Sequence, residues 1–198
     1  MNTHLRLASA TDAARIADIY APHVLERSTS FELQAPDAQQ MAERIDKVGR
    51  QWPWLVWCDE RGLVQAYAYA SAYAERVCYQ WSTTVSVYVA PGLQRGGVAR
   101  QLYDCLFEVL RRQGVVNAFA GITLPNDASL GLHRALGFQD VGVYRNAGFK
   151  LGAWHDVIWL GLGLQDPPLQ PPAAPRPLPR LLADGALQDL LGRTTSGP

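Results

Sequence analysis

Cysteine is scarce in this chain of 198 residues: there are three, Cys58, Cys78 and Cys105, with no CxxC pair among them. That spacing excludes a zinc-ribbon ligand set, and the odd number gives no disulfide framework. His4, His23 and His155 show no metal-ligand spacing, so no metal site is expected. Charge of one sign is not in excess, with 18 Lys and Arg against 18 Asp and Glu. A broad nucleic-acid surface or an anionic-membrane surface is therefore not expected, although a local basic pocket stays open. Long apolar runs are missing. No stretch of about 18 apolar residues occurs, and Met1 to Arg6 carries no apolar leader core. These absences point to a reducing, cytoplasmic setting. What is present suffices for one core: 48% of residues are apolar. The expected organisation is one domain over residues 1–164 and an appendage over residues 165–198.

Leu5-Arg6-Leu7 predicts a short opening strand. Thr11 and Asp12 can cap a helix with Ile16, Ile19 and Tyr20 on one face, bent or broken at Pro22. Pro36-Asp37 opens a second helix that ends near Gly49. Trp54 to Cys58 and Leu63 to Tyr73 flank a glycine turn and read as a hairpin. Trp52, Trp54 and Trp57 are expected to pack that hairpin against the first helices. The strand Thr83 to Val89 puts Thr83, Val85, Val87 and Val89 on one face and Thr84, Ser86 and Tyr88 on the other. A hydroxyl-bearing face suggests a cleft, with a plain solvent face as the alternative. Helical spacing follows from Val98 to Gly114, a strand from Val116 to Ile122, and a short helix from Pro125 to Gly137. A closing hairpin runs over Val141 to Phe149 and Trp154 to Leu162, where Trp154 and Asp156 are expected as anchors. The order β, α, α, β, β, β, α, β, α, β, β predicts a mixed α/β (α+β) domain with a mostly antiparallel sheet and one parallel crossover. Seven prolines lie between Asp166 and Pro179. They predict an extended linker or surface strap, followed by a disordered end or a short helix over Leu181 to Leu191.

The segment Gln94-Arg95-Gly96-Gly97-Val98-Ala99 joins the strand to the helix. A glycine-rich turn there exposes backbone N–H groups without intrahelical partners, at the positive end of the helix dipole. Gly96 and Gly97 let the backbone approach a bulky phosphate closely. The residues alone leave an ordinary strand-to-helix turn equally open.

This turn resembles the Q/R-x-x-G-x-G/A pattern of the GNAT N-acetyltransferases, with Gln94, Gly97 and Ala99 in the fixed places. The blocks Leu124-Pro125-Asn126-Asp127-Ala128-Ser129, Leu132-His133, and Ala147-Gly148-Phe149-Lys150 with Trp154-His155-Asp156 resemble the phosphinothricin and methionine sulfoximine branch of that family. Thr29-Ser30-Phe31-Glu32 agrees with it, and the likeness runs from about Leu5 to Leu164. It implies a central sheet splayed between strands 4 and 5, acetyl-CoA as donor, and a small amino acid or analogue as acceptor. The backbone from Gln94 through Arg95, Gly96, Gly97, Val98, Ala99 and Arg100 would then hold the pyrophosphate. Val87, Tyr88 and Val89 would line the pantetheine arm, with Asn126 and Ser129 near the thioester. A homodimer is usual in this branch.

The chemistry needs an acceptor for the amine proton. The glutamate usual in this branch is replaced by Thr84, which at best positions a water. His133 is then the candidate proton acceptor, or the group that serves the sulfur, since an imidazole titrates near neutrality. Asn126, Ser129 and His133 share a helix face. Arg76 is the candidate cation for the acceptor carboxylate, and Phe31, Tyr79 and Tyr88 are candidate pocket walls. A packed core role is equally open for each aromatic, and a solvated loop role for Arg76. A lysine common two residues before that arginine is Ala74 here. Loss of the glutamate leaves two other expectations standing: an acetyltransferase for another small primary amine, or a catalytically weak acyl-CoA-binding protein.

Overall fold

The computed structural model describes residues 2–93, 96–170, 172–191 and 194–196. In chain order the elements are β1 (Asn2–Leu7), α1 (Ala13–Leu25), α2 (Ala38–Gly49), β2 (Trp54–Cys58), β3 (Val64–Ala72), β4 (Ser82–Val89), α3 (Val98–Gln113), β5 (Asn117–Thr123), α4 (Asp127–Ala135), β6 (Gln139–Lys150), β7 (Ala153–Gly163), α5 (Leu178–Ala183) and β8 (Thr194–Ser196). The strands form one eight-stranded sheet in the order β6-β7-β5-β4-β3-β2-β1-β8. Every neighbouring pair is antiparallel except β4 and β5. The mixed, mostly antiparallel sheet is the expected one.

Local chemistry accounts for most element ends. Asp37 caps α2 by accepting from the Gln40 N–H, and Gln40 returns a bond to the Asp37 N–H. Gly114, at φ 93°, ends α3 in the left-handed conformation that glycine adopts without strain. Asn126 caps α4 by accepting from the Ser129 N–H. Two expectations change. α1 runs through Pro22 to Leu25; the proline lies in the last turn, where its missing N–H removes a single ladder bond. Asp12 does not cap α1. It accepts from the Ser9 N–H and pairs with Arg6 through two bonds of 2.7 Å, closing a 3-10 turn before the helix.

Alternation in the strands divides the core into two layers. Ala66, Ala68, Ala70, Val85, Ala118 and Ala120 face Leu102, Leu106 and Leu110 of α3. On the other face, Trp54, Val56 and Tyr67 pack against Ile16, Ile19, Met41 and Ile45 of α1 and α2. Trp54 meets the first helices as expected, but Trp52 and Trp57 lie in the α3 layer. Neighbouring strand residues point to opposite faces, so Trp54 and Trp57 cannot share one.

The proline-rich segment runs back over α3. Leu178, Leu181 and Leu187 are buried against Val109. Gln113 donates to the Gln51 and Arg176 carbonyls, Trp81 donates to the Ala173 carbonyl, and Arg112 grips Asp189 with bonds of 2.5 and 2.8 Å. β8 then adds to the outer edge of β1.

Candidate active site

β4 and β5 begin side by side and then separate. Their parallel register contains three pairs: Ser82 with Asn117, Thr83 with Ala118, and Thr84 with Phe119. β4 continues to Val89 and stays paired with β3 throughout, Ala66 facing Val89. β5 continues to Thr123 and stays paired with β7. Among the described residues, the edge of Val85–Val89 that faces β5 therefore has no strand beside it. Unpaired strand edges are templates for a further extended chain.

The open edge leads to the glycine turn. Gly97 stands at φ 75° as the residue before α3, with no side chain capping the helix. The first intrahelical bond is from the Gln101 N–H to the Gly97 carbonyl at 3.0 Å. The N–H groups of Val98, Ala99 and Arg100 are thus left without intrahelical partners at the positive end of the dipole. The Arg100 guanidinium donates 2.8 Å to the Ala135 carbonyl, tying the start of α3 to the end of α4. Gln94 and Arg95 lie outside the described residues.

His133 is buried at 3% exposure in the α3 layer. Its Nδ1–H donates 2.8 Å to the Ser129 carbonyl, which fixes the tautomer, and Nε2 lies 3.2 Å from the Tyr103 hydroxyl. Burial holds its pKa below the ordinary value, with the Ser129 bond as a smaller opposing effect. Thr84 projects from the other face of the sheet, opposite to Val85, and its hydroxyl lies 2.7 Å from that of Ser71. The two expected proton-handling residues are therefore not side by side. Asn126 and Ser129 lie on the His133 side, at the start of α4.

The remaining candidates spread along the Thr84 face. The Tyr88 ring packs edge-on to Tyr20 and His23 and stacks on Tyr67, so its side chain is core while its backbone belongs to the open edge. Arg76 and Tyr79 are exposed at the 3-10 turn Val77–Tyr79. Tyr79 meets Tyr73 at 5.6 Å, and Tyr73 meets Phe119, the register partner of Thr84, at 4.7 Å. Ser71, Tyr73 and Phe119 therefore border the same face, and none of them is among the residues expected there from sequence. The signal for Phe119 was present in Ala118-Phe119-Ala120, an aromatic alternating against small core residues.

Phe31 sits against the β6–β7 hairpin, where a Cβ on Gly148 would lie 2.5 Å from the Phe31 ring. The buried Lys150 ammonium donates 2.5 Å to the Ser30 carbonyl. Burial lowers its pKa, and the Glu32 carboxylate partly offsets this. Tyr20 O–H donates 2.9 Å to Glu32, which also takes two bonds, 2.7 and 2.8 Å, from Arg44. The Arg44 bonds hold the Glu32 carboxyl below its usual range. This network fixes the loop 29–32 beside the sheet. Among the described residues no group of three or more His, Cys, Asp or Glu is arranged to hold a metal, and no helix is long and apolar enough to cross a membrane.

Comparison with known proteins agrees with this geometry. A family model described as an acetyltransferase (GNAT) domain matches residues 5–159. A phosphinothricin N-acetyltransferase from Streptomyces viridochromogenes is 37% identical over 175 residues, covering 88% of this chain and 92% of that protein. An L-methionine sulfoximine/L-methionine sulfone acetyltransferase from Salmonella typhimurium is 31% identical over 165 residues, covering 82% and 95%. The crystal structure of a GNAT superfamily phosphinothricin acetyltransferase from Sinorhizobium meliloti, in complex with acetyl-CoA, superposes with a TM-score of 0.82 at 33% identity, over 87% of this chain and 94% of that one. With a family model over most of its length and a splayed sheet beside a glycine turn, the chain belongs to the GNAT acetyltransferase family.

Proposed function

We propose that this acetyltransferase moves an acetyl group from acetyl-CoA to the amine of a small amino acid or analogue of the phosphinothricin or methionine sulfone type. The observation that carries this reading is the end of β4–β5 pairing at Thr84 and Phe119, next to the N–H groups without intrahelical partners that open α3. The pantetheine arm lies along Val87, Tyr88 and Val89 like an added strand. The amides of Gly96, Gly97, Val98, Ala99 and Arg100 hold the pyrophosphate, together with Gln94 and Arg95. Asn126 and Ser129 lie beside the arm near the thioester.

The amine attacks the thioester carbonyl directly. A backbone N–H on the open edge of β4 stabilises the oxyanion, and the coenzyme A thiolate leaves. The amine proton departs through water held on the acceptor side by the Thr84 and Ser71 hydroxyls. His133 works from the opposite face of the sheet: a proton taken up from water at Nε2 is passed through the Tyr103 hydroxyl to the leaving thiolate, which departs as the thiol. Arg76 takes the acceptor carboxylate, and Phe31, Tyr79 and the Tyr88 segment wall the pocket.

A homodimer is supported by the exposed apolar side chains of the closing hairpin, Val141, Tyr144, Phe149, Leu151 and Trp154. We place the protein in the cytoplasm, with residues 1–164 as the catalytic domain, residues 165–198 as a separate proline-rich tail, and no nucleic acid or membrane as partner. Thr84 in place of an acid favours one second reading, a binder of acyl-CoA with little turnover. Release of coenzyme A from acetyl-CoA across a panel of amines separates the two. Amino-acid-dependent release supports the enzyme; acetyl-CoA binding with no release for any amine supports the binder.

A further inference from the structure

The loop between β3 and β4 carries two of the acceptor candidates, Arg76 and Tyr79, yet little of it is anchored. Residues 72–79 are all exposed. Ring contacts hold it through Tyr73, which meets Phe119, Tyr79 and Trp159. Among the described residues, no side chain from Ala72 to Gln80 makes a hydrogen bond or an ion pair. The loop ends at Trp81, directly before β4, the strand of Thr84.

Trp81 is half-buried and held at two points. Its carbonyl accepts from the Val116 and Asn117 N–H groups, at 2.8 and 3.1 Å, where the chain enters β5. Its indole N–H donates 3.0 Å to the carbonyl of Ala173, 92 residues later in the proline-rich strap. The two partners suit one another. Proline has no N–H, so a strap built on it presents carbonyl oxygens, and the indole nitrogen can only donate.

The strap is a firm support at this place. Pro172, Pro175 and Pro177 fix their own φ, and Pro175 also restricts Ala174 before it. The buried Gln113 side chain donates to the Gln51 and Arg176 carbonyls, and the Arg176 N–H donates 2.8 Å to the Gln113 carbonyl. The Leu178 N–H donates 3.2 Å to the Gln51 carbonyl, and Leu178 and Leu181 are buried against Val109. The Ala173 carbonyl is thus held in place by the residues that follow it.

Resting on the proposed amino-acid acetylation, we infer that Trp81 is a positioning residue: through its bond to Ala173, the strap steadies the loop that presents Arg76 and Tyr79 to the acceptor. Trp81 acts through the loop and not on the reacting atoms. The coenzyme side is spared, because the glycine turn follows the opposite end of β4.

The test uses the full chain with phosphinothricin and L-methionine sulfone as acceptors. Trp81→Phe keeps an aromatic ring and removes the donor. It should raise KM for both acceptors about three- to tenfold, with kcat and the KM for acetyl-CoA within about twofold of the parent. Both acceptors carry the carboxylate assigned to Arg76, so both should respond. Leu181→Ala loosens the strap from its far side and should raise the same KM. Added to Trp81→Phe it should raise it little further, because the bond it acts through is already absent. Native-state hydrogen exchange reads the same tie without turnover: the Val116 and Asn117 amides, bonded to the Trp81 carbonyl, should exchange about threefold faster or more in Trp81→Phe. An unchanged acceptor KM in either folded variant, an equal rise for acceptor and acetyl-CoA, or full additivity in the double variant overturns the inference. If no amino acid is acetylated, the acceptor reading fails and exchange at residues 116–117 decides: faster exchange supports the tie between strap and loop, and unchanged exchange overturns it. If acetylation proceeds with the parent's acceptor KM in Trp81→Phe, the inference alone fails.

Discussion

The Phe31 ring occupies the space that a side chain on Gly148 would need: a Cβ at Gly148 would lie 2.5 to 2.8 Å from three of its ring carbons. This contact ties the loop after α1 to the β6–β7 hairpin, two elements separated by most of the chain. Gly148→Ala should push Phe31 off the hairpin, destabilising the fold by about 1–3 kcal/mol and raising the acceptor KM. The affinity for acetyl-CoA should not change. Adding Phe31→Leu should recover part of both losses. Steady-state kinetics and thermal melts check this, and an unaltered acceptor KM in Gly148→Ala would count against Phe31 as a pocket wall.

Thr84 and His133 lie on opposite faces of the sheet, so the effects of their variants should separate. Thr84→Glu places a carboxylate beside Ser71 and Phe119 and is expected to raise kcat on amino-acid acceptors. An unchanged or lower rate in the folded variant argues against the shortage of a base there. His133→Ala removes a buried ring bonded through both nitrogens. It should lower stability by about 2–4 kcal/mol and lower kcat as well. Near-normal kcat in folded His133→Ala removes His133 from the chemistry.

Two imidazoles and one carboxylate are among the groups that make stability depend on pH. Burial pushes His23 down to about 4, with Arg27 contributing, and lowers His133 as well. Below about 6.5 the unfolded chain binds protons that the folded chain refuses, so stability falls as pH falls. For His23 the fall continues until pH reaches about 4. Glu32, held low by Arg44, adds stability above its unfolded value, and that contribution is lost as pH drops through its folded value. The thermal midpoint should therefore decline steadily on acidification from neutrality. His23→Gln should flatten the decline between about 6.5 and 4. A flat midpoint in the parent protein over that range would contradict these assignments.

The strap is an energetic part of the fold. Leu181 is fully buried against Val109 and the other tail leucines. Leu181→Ala should cost about 2–4 kcal/mol and expose residues 165–191 to proteolysis, with acetyl-CoA affinity unchanged because the strap lies behind α3. Equal melting temperatures for parent and variant would show that the tail adds nothing.

Much of this was legible in the sequence because local signals agreed. Glycines at 97 and 114 bracket α3, Asn126 caps α4, and alternation in Thr83–Val89 separates a core face from a hydroxyl face. What could not be read depends on contacts across the chain. The burial of His133 against Tyr103 joins two helices 30 residues apart. The Lys150 bond to Ser30 spans 120 residues. Tail packing depends on leucines that local periodicity gives no reason to match with Val109. Trp57, expected against the first helices with Trp54, is sent by strand alternation to the α3 layer. The end of β4–β5 pairing is likewise a property of two strands together.

In the proposed function, the open edge of β4 and the amides at the start of α3 form a coenzyme A site. Calorimetric titration of the full chain with acetyl-CoA tests it most directly, compared with Gly97→Val, where φ 75° disfavours a branched side chain. One molecule should bind per chain, and affinity should weaken on the order of tenfold in the variant. No heat of binding from well-folded parent protein, with acetyl-CoA or coenzyme A, would contradict it.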